Sequence, residues 1–122
     1  VEDMIHLSPF KIPVCHVGQA AIHTHKTVFF APNALTHIKV RHWYKNTKTA
    51  SYFLPSMNVN KLKVIILKTL NKGQPGKTGC AAHKVRECAF KKFIGHLHTG
   101  EKCYSLRVVT TLKDKVITAF PI

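Results

Sequence analysis

His37, Arg41 and His42 fall within the run His37-Ile-Lys-Val-Arg41-His42. An imidazole titrates near neutrality, so it takes or gives a proton at pH 7. A guanidinium four residues away grips a phosphate with two parallel hydrogen bonds. RNA carries its own nucleophile, the 2′-OH. A base removes the proton of that hydroxyl, an acid protonates the leaving 5′-oxygen, and a cation holds the pentavalent phosphorus. Neither a metal nor a carboxylate is required. The same spacing also describes a solvated helix face with one His turned towards a core.

Composition narrows the partners. Nineteen Lys and Arg stand against five Asp and Glu, with nine His beside them, for a formal net charge of +14 over 122 residues. Such a surface attracts a polyanion, and Lys and Arg suffice for the phosphate backbone. The acids are Glu2, Asp3, Glu87, Glu101 and Asp114, and only the first two are close in sequence. Paired-carboxylate catalysis and hard metals held by Asp and Glu therefore have little material. No cofactor and no metal are expected.

The elements that must position these residues follow from pattern. An apolar content of 45% with seven Phe indicates a globular chain, and the length fits one domain over residues 1–122. Pro9, Pro13 and Gly18 make residues 1–26 an irregular N-terminal segment. Thr27–Phe30 reads as a short strand. Asn33 then serves as N-cap of a helix on which Leu35, Ile38 and His42 share a stripe, with His37 and Arg41 on a neighbouring face. A second helix starts at Asn58 or Asn60, buries Leu62, Ile65, Ile66 and Leu70, and closes at Asn71-Lys72-Gly73. Residues 80–94 and 103–120 look like strands, the last two (Tyr104–Leu112 and Val116–Phe120) joined at Lys113-Asp114-Lys115. Helices followed by about four antiparallel strands make an α+β arrangement. The longest apolar run, Val64–Leu67, is far short of a membrane span. The start, Val-Glu-Asp with no initiator Met and no leader-like pattern, is expected of a piece cut from a longer chain.

Four Cys, at 15, 80, 88 and 103, read either as disulfides or as thiols, and Cys80–Cys88 would close a short loop. Zinc ligation by Cys80, His83, Cys88, His96, His98 and Cys103 fails on spacing, because the paired Cys lie too far apart and the paired His too close. The neighbours Cys15 and His16 point to opposite faces of any strand, so they make no dyad.

The C-terminal hairpin carries the other candidates. Alternation sets Leu106, Val108 and Thr110 on one face and Ser105, Arg107 and Val109 on the other, and puts Val116, Thr118 and Phe120 together on the last strand. Arg107 and Thr118, on adjacent central strands, can then meet one phosphate. The bland reading is a hairpin with an exposed Arg and a β-favouring Thr.

The helix bearing His-x-x-x-Arg-His, together with the ending Leu-Arg-Val-Val…Val-Ile-Thr-Ala-Phe-Pro, resembles the ribonuclease toxin domains at the C-termini of bacterial polymorphic toxins. Contact-dependent growth-inhibition effectors are one such group. Many belong to the barnase, EndoU, colicin and RelE-like fold group, with N-terminal helices packed on a four-stranded antiparallel sheet. The resemblance covers roughly residues 28–72 and 90–122, and Val1-Glu2-Asp3 is similar to the short boundary motif before such domains. It implies His37 and His42 as acid and base, Arg41 as phosphate clamp, Arg107 and Thr118 as strand-borne stabilisers of the pentavalent state, and Tyr104 as a further site residue. His96 or His98 could instead supply the second imidazole. RNase A-like bacterial toxins are a nearby alternative, through His16-Val17-Gly18.

The resemblance further implies a metal-independent endoribonuclease that cleaves RNA, tRNA among the candidates, to a 2′,3′-cyclic phosphate. It implies delivery as part of a secreted or cell-surface effector, action in the cytoplasm of a target cell, a monomeric state, and neutralisation by an acidic cognate immunity protein. The competing readings are a non-catalytic nucleic-acid-binding module using Phe, Tyr and Trp43 as stacking platforms, and a secreted basic protein acting on anionic membranes.

Overall fold

The structure is a computed structural model that describes residues 26–44 and 49–122. Residues 1–25 of the irregular segment, with Cys15, His16 and the His16-Val17-Gly18 motif, lie outside the described residues. Among those described, two helices precede most of the strands, in the order α1 (Ala34–His42), β1 (Tyr52–Phe53), α2 (Val59–Lys72), β2 (Gln74–Pro75), β3 (His83–Ala89), β4 (Gly95–His96), β5 (Lys102–Cys103), β6 (Ser105–Thr111) and β7 (Val116–Pro121). The chain is α+β, as its pattern predicted. The strands form two antiparallel sheets: a four-stranded one ordered β2-β3-β6-β7 and a three-stranded one ordered β1-β4-β5. None of the described helices is long and apolar enough to cross a membrane.

Helix α2 forms because Leu62, Ile66 and Leu70 recur every four residues and all three are buried. Asn58 caps it, its side chain accepting a hydrogen bond from the Lys61 N–H at 2.8 Å. Gly73 ends it for a different reason than a left-handed turn. Its φ is −73°, in the extended region. A Cβ there would lie 2.4 Å from the Thr69 carbonyl oxygen and 3.0 Å from that of Glu87, so only glycine admits the close approach.

Helix α1 buries Ala34, Ile38 and His42, with Leu35 packed at the rim of the same core. Asn33 stands at its start but adopts a left-handed conformation (φ 65°), and its side chain makes no capping bond. A capping side chain reaches the first turn from extended backbone, which Asn33 does not adopt, so the predicted cap does not form.

The core lies between both helices and one face of the larger sheet, where Ile38, Phe53, Leu62, Ile66, Leu106, Val108, Val116 and Ala119 are fully buried. Strand β6 follows the predicted alternation, with Leu106, Val108 and Thr110 buried and Ser105, Arg107 and Val109 on the other face. Strand β7 departs from it. Val109 pairs with Thr118, whereas Thr110 pairs with Val116, so a bulge inserts Ile117. The bulge reverses the phase. Val116 therefore joins the core, while Thr118 and Phe120 share the open face with Arg107.

Three further expectations are corrected. The strand expected at Thr27–Phe30 reduces to one parallel bridge, Phe30 to Val116, held by Ala31 N–H to Val116 O and Val116 N–H to Phe29 O, each 2.8 Å. Strand β7 is therefore the last of its sheet, not a central strand, and residues 29–31 cover the start of its outer edge. The Cys80–Cys88 bridge does not form: Cys80 is an exposed free thiol, whereas Cys88 takes part in a disulfide.

The two sheets meet at the end of β7. Gly95 lies against it so closely that a Cβ would fall 2.7 Å from Pro121 Cγ and 2.2 Å from the Tyr52 carbonyl oxygen.

Candidate functional site

Helix α1 lies along β7, which brings two series of residues into register. Five helical residues advance about 7.5 Å, and two strand residues advance about 6.7 Å. His37 and His42 on the helix therefore match Thr118 and Phe120 on the strand. His37 and Thr118 line one cavity of about 450 Å³ with Pro32, Asn33, Ala34, His83, Val109 and Ile117. His42 stacks on Phe120, ring centres 5.1 Å apart, and meets His37 edge-on at 5.8 Å. The Arg107 guanidinium sits 5.8 Å from the centre of the other partner in that stack, Phe120. It also forms an ion pair through Nε with Glu87, its cross-strand partner.

The chain of contacts thus runs His37, His42, Phe120, Arg107, Glu87. Four of the six residues proposed from sequence, His37, His42, Arg107 and Thr118, belong to this one region. Arg41 is exposed on the last turn of α1 and acts on His42 through its charge. Tyr104 belongs elsewhere. It is 42% exposed and packs on Phe93, 6.2 Å between ring centres, in a second aromatic cluster, and it does not line the cavity. His96, the alternative imidazole, also lies in that cluster, stacked on Tyr52. His98 is exposed beyond the end of β4.

The state of His42 is set by its surroundings. It is 7% exposed, and burial pushes its pKa below the ordinary 6.5, with the charges of His37 and Arg41 acting in the same direction. A hydrogen bond from Nδ1–H to the Ser51 carbonyl oxygen, 2.8 Å, opposes this in part. A carbonyl only accepts, so Nδ1 carries the proton and Nε2 keeps a lone pair. The ring is a neutral base with a fixed tautomer at pH 7.

A stability consequence follows. The unfolded chain binds this proton below pH 6.5 and the folded chain resists it. Folding stability from this group is complete above pH 6.5 and is lost as pH falls towards the depressed folded value. The thermal midpoint should drop between pH 7 and pH 5, and His42→Gln should flatten that part of the drop in a calorimetric series.

The Thr118 hydroxyl is shielded from solvent and has no hydrogen-bond partner among the described residues. One rotation about its Cα–Cβ bond changes which group faces the cavity. The start of α1 at Pro32, Asn33 and Ala34 also lines this space, and the positive end of a helix favours an anion nearby.

No protein family, characterised protein or solved structure matches this chain.

Three of its residues were not named as site residues from sequence. Glu87 is one of only five acids, and its place opposite Arg107 depends on a strand register that composition does not reveal. His83 drew notice only as a zinc ligand. Among the described residues, no three His, Cys, Asp or Glu side chains come together as a group able to hold a metal. Phe120 was placed beside Thr118, but its contact with His42 requires α1 to lie along β7. Cys103 offers no nucleophile: burial, aided by the Glu101 charge, pushes its thiol up to about 11, so it stays protonated at pH 7.

Proposed function

We propose that this chain is a metal-independent endoribonuclease toxin domain that cuts RNA by attack of the 2′-OH on the adjacent phosphate. The supporting observation is that His37 and Thr118 line one cavity while His42, in contact with His37, is joined to Arg107 through the Phe120 ring. His42, neutral with its Nε2 lone pair free of the Ser51 bond, takes the 2′-OH proton. Its ring is nearly buried, so contact with substrate is confined to one edge. The O2′–P bond forms, the P–O5′ bond breaks, and His37 on the cavity wall gives a proton to the departing 5′-oxygen. Arg107 has Nε engaged with Glu87, which leaves its terminal N–H groups to hold the phosphorane oxygens. The products are a 2′,3′-cyclic phosphate and a 5′-hydroxyl end. The start of α1 and the +14 charge draw the RNA in.

The same charge fits an acidic immunity protein covering the site, and delivery into the cytoplasm of a target cell within a larger effector belongs to the same reading. The test is total tRNA incubated with the chain in EDTA and resolved on a gel. Discrete fragments ending in a cyclic phosphate are expected; fragments that need added metal overturn the mechanism. A non-catalytic nucleic-acid-binding module is the second reading, favoured by the pairing of Arg107 with Glu87 and by the covered His42. Intact RNA with a salt-dependent shift would identify it.

A further inference from the structure

The smaller sheet carries aromatic rings that the proposed cleavage chemistry does not use. Tyr44 meets Tyr52 at 6.3 Å, Tyr52 stacks on His96 at 5.6 Å, His96 meets Phe93 edge-on at 5.5 Å, and Phe93 meets Tyr104 at 6.2 Å. These are ordinary separations for interacting rings, so the five form one continuous ladder. The topology builds it: Tyr52 on β1 and His96 on β4 are direct cross-strand partners. Both ends of the ladder face solvent, Tyr44 at 40% and Tyr104 at 42% exposure. The middle rings are partly covered and hold the ends in place.

The surroundings are cationic. The Lys102 ammonium lies 4.8 Å from the centre of the Phe93 ring, and Lys91 and Lys92 are exposed nearby in sequence. Between residues 88 and 113 the chain has one acid, Glu101. A core cluster would not end in two exposed tyrosines.

The ladder is continuous with the candidate cleavage site. Tyr44 follows His42 by two residues, and Tyr52 follows Ser51, the residue that fixes the His42 tautomer. Gly95, beside His96, packs against Pro121, the neighbour of Phe120. These neighbours set the ladder beside the end of β7 that carries Phe120.

We propose that Tyr44, Tyr52, His96, Phe93 and Tyr104 form a base-stacking subsite for unpaired nucleotides flanking the cleaved phosphate, with Lys102 meeting their backbone. This rests on the ribonuclease reading for its direction along the strand, not for its chemistry. Stacking on an aromatic face tolerates any base, so the subsite selects single strands and loops over duplex, and reads no sequence.

The test uses a fluorescein-labelled octamer of 2′-O-methyladenosine, which binds but has no 2′-hydroxyl to attack. Its affinity is measured by anisotropy across a salt series. Tyr44→Leu and Tyr104→Leu keep an apolar side chain and remove the π face. Each should weaken binding about 5- to 100-fold, while the slope of log affinity against log salt stays that of the wild type, because no phosphate contact is lost. Tyr44→Phe and Tyr104→Phe should bind like the wild type. Lys102→Ala should instead reduce the salt slope. Testing the two ends separately means that a folding defect in one variant leaves the other informative. Binding within twofold of wild type in both Leu variants overturns the subsite, as does an octamer that the wild type fails to bind. Wild-type cleavage of a dinucleotide, too short to reach the ladder, reports separately on the catalytic reading. A chain that cleaves the dinucleotide but ignores the ladder substitutions loses only the subsite. One that binds the octamer through the ladder but leaves the dinucleotide intact loses only the catalysis.

Discussion

Replacing His42 with Ala should lower kcat for RNA cleavage by roughly 10²- to 10⁴-fold, the range a positioned acid or base supplies, and His37→Ala should do the same. The two losses should not add. In the proposed mechanism the imidazoles serve one proton relay, and groups that act as a unit lose most of their effect once one is gone. The double variant is expected within a few-fold of either single one. The pH profile separates the roles. His42 must be neutral to act as base, and burial lowers its pKa from 6.5. The acidic limb of kcat/KM should therefore fall below pH 6.5, and His42→Ala should abolish that limb while His37→Ala keeps it. His42 also fills core space against Phe120, so His42→Gln, which keeps bulk and a polar tip, serves as the check on folding. Equal activity of His42→Gln and wild type would remove His42 from the proton relay.

How much of this was legible beforehand depends on the range of each signal. Helix α2 and the C-terminal hairpin were readable because their patterns are local. Leu62, Ile66 and Leu70 repeat at helical spacing, and Leu106, Val108 and Thr110 alternate. Asp114, at φ 65°, carries the turn of the hairpin in a conformation that Asp tolerates better than most residues. The bulge at Ile117 was not readable. Nothing in Val116-Ile117-Thr118 announces an extra residue; the bulge exists because Val116 reaches the core while Thr118 still pairs with Val109.

The candidate site divides in the same way. His37 and His42 stood out by type and spacing, Arg107 and Thr118 by alternation and resemblance. Tyr104 came from the resemblance alone, and its ring packs on Phe93 instead. Glu87 was hidden because a single acid in a basic chain reads as solubility. Its meaning comes from facing Arg107 across two strands, a long-range pairing that local pattern does not encode.

Arg107→Ala should cost about 10²- to 10³-fold in kcat, the usual loss when one preorganised donor to a developing oxyanion is removed. The loss should appear in kcat more than in KM, because in the proposed mechanism the guanidinium meets charge that grows only at the phosphorane. Arg107→Lys should recover little. An ammonium lacks the planar fork that lets Nε hold Glu87 and would leave the terminal nitrogens for the phosphate of the proposed mechanism. Glu87, its side chain 13% exposed and paired with Arg107, is in that mechanism a positioning residue. Glu87→Gln keeps an acceptor for Nε–H and should retain most activity. Glu87→Ala leaves the guanidinium free to wander and should lower kcat about tenfold or more, as small misplacements of a clamp do. The comparison also tests the mechanism against its nearest rival. If Glu87→Gln were as inactive as His42→Ala, with the acidic limb of the pH profile gone, the carboxylate would be the base and the two imidazoles its neighbours.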